Sequence, residues 1–99
     1  MKLHRPLDQF LIRAADDSRL LPSHLSLFMA IFYYSEEKKP GALFSINRKK
    51  LMRFSRIRSI VTYHKCMREL VAYGYIVYQP SFDPYRASLV SMIIYRPKI

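Results

Sequence analysis

The side chains best placed to act on a partner are arginines and lysines gathered in one stretch. Between Glu37 and Glu69 there is no acidic residue, yet the window holds Lys38, Lys39, Arg48, Lys49, Lys50, Arg53, Arg56, Arg58, Lys65 and Arg68. These are ten of the 17 Lys and Arg, against seven Asp and Glu in all and a formal net charge of +10. Cations without counter-charges attract polyanions, and phosphate suits the arginine fork especially well. A merely solvated basic surface has no reason to collect in one acid-free window. Nucleic acid is the leading partner class, and an anionic membrane surface the second.

Other reactive residue types point to less. Cys66 is the only cysteine, which excludes an intramolecular disulfide and a multi-cysteine zinc site and fits a reducing, cytoplasmic setting. Its place in a helical apolar pattern reads as core filling. His4, His24 and His64 are far apart in sequence, so no metal or other cofactor is expected. Asp16-Asp17 and Glu36-Glu37 are the only adjacent acidic pairs, and two-metal hydrolysis needs several convergent carboxylates. No enzyme is expected. The longest apolar stretch, Leu25 to Tyr34, is about half the ~20 residues of a membrane-spanning helix and contains no basic residue. The first residues lack the apolar run of a signal peptide. A membrane partner is therefore not expected.

Hydrophobic spacing supplies the elements that would position the basic side chains. At 99 residues, 51% of them hydrophobic, the chain suits a single domain over residues 1–99 with an adequate core. Leu7, Phe10, Leu11 and Ala14 predict a helix over 7–15 with one buried stripe, ending near Asp16-Asp17-Ser18. Leu21-Pro22-Ser23 opens a second helix, 23–35, apolar enough to be buried on most sides. After the polar break at 36–41 comes a short strand, 43–46. Asn47 then caps a basic helix over 48–54, with Leu51, Met52 and Phe54 inward.

Ser59 caps a longer helix, 60–73, whose inward residues are Tyr63, Cys66, Met67, Leu70 and Val71. Gly74 stands where a left-handed residue ends a helix. Strands at 75–78 and 89–95 then form a hairpin over 75–95 around a loop from Pro80 to Arg86. The predicted class is mainly α with a small β-sheet. Its element order is that of a winged helix-turn-helix, in which helix 60–73 enters the major groove as the recognition helix. On this arrangement Ser59, Val61, Thr62 and Lys65 face base edges, because the N-terminal part of that helix goes deepest. Arg48, Lys49, Arg53, Arg56, Arg58 and Arg68 hold phosphates. Arg86, at the wing tip, reaches a minor groove. Most tyrosines fall on core positions, while Phe82 and Tyr85 in the loop are free for sugar or a protein partner.

The run Phe44-Ser-Ile-Asn-Arg-Lys-Lys-Leu-Met, then Ser59 with Thr62-Tyr-His-Lys-Cys-Met-Arg-Glu-Leu70, then Gly74-Tyr-Ile-Val-Tyr, resembles bacterial winged-helix DNA-binding proteins. The likeness is nearest to short winged-helix proteins of conjugative and other mobile elements. The ending Glu-Leu, three residues, Gly-Tyr-Ile is similar to winged-helix domains of plasmid and phage replication initiators. The resemblance covers about residues 20–95 and departs from the usual pattern at Ile60-Val61, where Arg or Ser is common. It implies a double-stranded DNA-binding protein with a sequence preference, a transcriptional regulator or an excision or architectural factor. The alternative is a protein-interaction module in a replication or mobilisation complex. RNA is a third partner class, and dimerisation through the first two helices would suit paired half-sites.

Overall fold

The computed structural model describes residues 6–35 and 41–93. His4, Lys38, Lys39 and strand positions 94 and 95 lie outside them. The elements are α1 (Pro6–Ala15), α2 (Pro22–Ser35), β1 (Phe44–Ile46), α3 (Arg48–Ser55), α4 (Ile60–Ala72), β2 (Ile76–Gln79) and β3 (Ser88–Met92). Their order and types are those predicted, and their ends differ by one residue except at β3. That strand stops at Met92, although the Ile93 amide still donates to the Tyr75 carbonyl at 3.0 Å. The molecule is mainly helical with one small antiparallel sheet.

Local chemistry fixes the helix ends. The Asn47 side chain accepts the Lys50 amide at 3.0 Å, and Ser59 Oγ accepts the Thr62 amide at 3.2 Å, so α3 and α4 each begin on a satisfied donor. Gly74, at φ +82°, ends α4 in the left-handed conformation predicted for it. Its amide bonds to the Val71 carbonyl at 3.0 Å and the Tyr75 amide to that of Leu70 at 2.9 Å. This closure turns the chain straight into β2.

In the sheet, strand order is β1-β3-β2, with both pairings antiparallel. Val90 therefore lies between Phe44 on one side and Tyr78 on the other. The core lies between sheet and helices: Leu27, Phe28 and Ile31 of α2 are buried with Leu51 of α3, Tyr63, Met67 and Leu70 of α4, and Ile76 and Val90. Phe10 of α1 stacks on Phe28 with ring centroids 3.8 Å apart.

Several predicted core positions are on the surface instead. Leu11, Phe54 and Val71 are exposed, as is Ile60 at the start of α4. Periodicity marks the centre of a buried stripe but not its width, and each of these residues lies at the stripe's edge. Phe54 is partly shielded by a stack on Tyr33, centroids 4.9 Å apart. In α2 the residues Leu25, Met29 and Tyr33 form an exposed apolar line, so that helix is less enclosed than predicted.

Two polar clusters hold the helices in place. Arg13 of α1 donates to the Gly74 carbonyl at 3.0 Å and lies over the Tyr75 ring at 4.1 Å. The Tyr75 hydroxyl donates to Asp17 at 2.7 Å, and Asp17 also accepts Arg19 Nε and Nη2, each at 2.8 Å. At the start of α2, buried His24 accepts the Leu21 amide on Nδ1 at 2.8 Å. Its proton must then sit on Nε2, which donates to Glu69 Oε1 of α4 at 3.0 Å.

Both clusters predict a stability that falls in acid. The Arg19 and Tyr75 hydrogen bonds hold the Asp17 carboxyl well below its ordinary 3.8, and the His24 hydrogen bond holds Glu69 below its ordinary 4.5. Carboxyls depressed in the folded state stabilise it above those ordinary values, and the contribution disappears as pH falls through the folded values. The urea midpoint should therefore hold above pH 4.5 and decline below it, with a shallower decline in Asp17→Asn. An unchanged midpoint through that range would contradict the two clusters.

Candidate nucleic-acid interface

The Ser59 cap and the Gly74 closure set the ends of α4, and its buried stripe sets the rotation about its axis. Tyr63, Cys66, Met67 and Leu70 face the core, and Cys66 is buried with Sγ 3.3 Å from Ser23 Oγ. Val61, His64, Lys65 and Arg68 face outward, with Val61 77% exposed. Of the four residues predicted at base edges, Val61 and Lys65 project freely and Thr62 is half-buried. Ser59 is exposed, but its oxygen already serves as the cap, leaving its O–H as a donor.

The six predicted phosphate contacts divide into two groups. Lys49, Arg53, Arg56 and Arg58 line an open depression of about 400 Å³ at the turn between α3 and α4, with Met52 and Ile57 at its floor. Arg48 and Arg68 instead line a cleft of about 600 Å³ beside the loop that follows β2. All six are exposed. Among the described residues, none of the basic side chains from Arg48 to Arg68 has a carboxylate within ion-pair distance; the pairs of opposite charge are Arg19–Asp17 and Arg86–Asp83.

Arg56 itself is in the left-handed region, at φ 64° and ψ 19°, the one described residue other than glycine with positive φ. Holding an L-residue with a β-carbon there costs about 1 kcal/mol, which a glycine would avoid. A cation thus occupies a turn position where glycine would be easier. Arg86, predicted at the wing tip, is in the loop between β2 and β3 and sits 3.8 Å from Asp83, so its charge is shared. Phe82 and Tyr85 in the same loop are each 94% exposed, as predicted.

Two placements have no signal in the sequence. His24, far from the other histidines in sequence, is buried and joined to Glu69 across 45 residues of chain. Tyr63, predicted in the core, is there and also forms part of the cleft wall. Among the described residues, no three His, Cys, Asp or Glu gather as metal ligands, and no helix is long and apolar enough to cross a membrane. Compared with protein-family models, curated proteins and solved structures, the chain matches none.

Proposed function

We propose that this chain is a winged helix-turn-helix protein that binds double-stranded DNA with a sequence preference, as a transcriptional regulator or an excision or architectural factor. The observation that carries this reading is the exposed run of cations from Arg48 to Arg68, none with a carboxylate within ion-pair distance among the described residues. Supporting it, α3 and α4 are joined by residues 56–59 alone, the short connection of a helix-turn-helix. The sheet adds β2 and β3 directly after α4, where a wing would flank the recognition helix. In this reading α4 lies in the major groove, Lys65 reaches guanine acceptors and the methyl of Thr62 meets thymine. Lys49, Arg53, Arg56 and Arg58 clamp the adjoining backbone, and the hairpin loop with Arg86 follows the next phosphates or minor groove.

Titration of a labelled duplex at several salt concentrations tests it. Neutralising about six phosphates gives a slope of about −5 in log K against log salt. Binding that ignores salt, or no binding at low salt, refutes the proposal. An RNA duplex of matching sequence, run as competitor, should displace the DNA poorly.

A second reading, a protein-interaction module, is favoured by the line Leu25, Met29 and Tyr33 with Phe54 stacked beside it. The occupant it fits best is a second copy of the chain. Pro22–Ser35 contains no Lys, Arg, Asp or Glu, so two strongly basic molecules meet there without opposed charges at the contact. In the same titration, two chains per duplex and a loss of that stoichiometry in Met29→Glu would mark the dimer.

A further inference from the structure

The cleft beside α4 has the composition of a ligand site as well as of a charged surface. Its volume, about 600 Å³, lies in the range of pockets that enclose small molecules. Two guanidinium groups, Arg48 and Arg68, line it with His64, and the rest of the lining is largely apolar and aromatic, with Tyr63, Tyr78 and Phe82. Phe82 is 94% exposed at this wall and has no ring partner among the described residues.

Tyr63 provides the polar anchor. It is only 1% exposed, and its hydroxyl has no hydrogen-bond partner among the described residues. Among the described residues no side-chain nitrogen or oxygen is both sealed from solvent and unpartnered, so this hydroxyl keeps some solvent access, and Tyr63 lines the cleft. Burial, reinforced by Tyr78 and opposed by the Arg48 charge, pushes it up to about 12. Like an ordinary tyrosine it is an un-ionised donor at neutral pH, able to bond an anionic oxygen.

We propose that this cleft binds one nucleotide-sized aromatic phosphate, with Arg48 and Arg68 on the phosphate, the Tyr63 hydroxyl as a directed donor and Phe82 against the aromatic ring. A rigid duplex presents phosphates on a convex surface and keeps its bases stacked, so it does not fill a concave site with a recessed donor. A free mononucleotide does, and so does an unpaired nucleotide at the end of a strand. Nothing in the site requires duplex binding by α4.

Amide NMR of the labelled full chain tests the site with four probes: deoxyadenosine 5′-monophosphate, deoxyadenosine, inorganic phosphate and a 5′-phosphorylated oligothymidylate. The expected result is saturable shifts around Tyr63, Arg68 and Phe82, with nucleoside and phosphate each binding at least about tenfold more weakly than the mononucleotide. Tyr63→Phe, which keeps the buried ring, should weaken binding about three- to tenfold, and Phe82→Ala, at an exposed position, about tenfold. Mononucleotide binding with this dependence identifies a free ligand; the same dependence with the strand alone identifies a strand end. Binding of neither probe, or binding that either variant leaves unchanged, overturns the proposal. Duplex titration of the same samples reads α4 separately, so loss of one activity with the other intact assigns the failure.

Discussion

Lys49, Arg53 and Arg56 changed together to glutamine should lower affinity for every duplex about a hundredfold or more at moderate salt, with the order of preference among sequences unchanged. These side chains surround one depression at the turn between α3 and α4, are exposed and have no carboxylate partner among the described residues. Each charge-assisted phosphate bond contributes strongly but identically for all sequences. The salt slope should therefore fall in magnitude by about 3, one unit or slightly less for each lost contact. Lys65→Ala and Thr62→Ala should behave differently, reducing discrimination at one or two base pairs by about tenfold each. The measurement is a competition titration against a set of duplexes at fixed salt. If both groups of variants lowered all affinities in parallel, the outward face of α4 would not be the reading face.

His24→Ala should be the most destabilising polar substitution, by about 2–4 kcal/mol. His24 is 1% exposed and bridges two elements, accepting the Leu21 amide at 2.8 Å and donating to Glu69 at 3.0 Å. Alanine leaves the amide without its acceptor and opens a cavity the size of an imidazole in the core. For a domain of this size the thermal midpoint should drop by more than about 10 °C. Glu69→Gln keeps an acceptor for Nε2 and should cost far less. Urea unfolding monitored by circular dichroism separates the two. Equal losses in both variants would mean that the ionised carboxylate, and not the cap and the packing, holds α2 to α4. Below its unfolding temperature His24→Ala should keep the proposed DNA affinity, since Val61 and Arg68 are exposed on the outward face of α4 whereas His24 is buried.

Short-range chemistry made much of the architecture legible. Asn47, Ser59 and Gly74 act within three or four residues of themselves, and each has the cap geometry its residue type predicts. The same locality explains why the outward face of α4 was readable from one turn to the next. What was not legible depends on neighbours distant in sequence. Leu11, Phe54 and Val71 have the right spacing for burial, but whether a stripe edge is covered depends on how close the next element comes. His24 meets Glu69, and Asp17 meets Tyr75. No local pattern signals either pair. The division of the basic residues is of the same kind: Arg48 and Arg68 share a cleft only because β2 and its loop return beside α4.

The sheet order carries a consequence for how the chain is made. β3, the last of the described strands, is the central one, and both β1 and β2 pair only with it. While a ribosome is still producing the residues before Ser88, neither earlier strand has a partner within the chain, and each presents unpaired backbone donors and acceptors. The helices can collapse on one another as they emerge, since α1, α2, α3 and α4 precede β3. The sheet can close only once β3 has emerged, because this strand of five residues is the pairing partner of both the others.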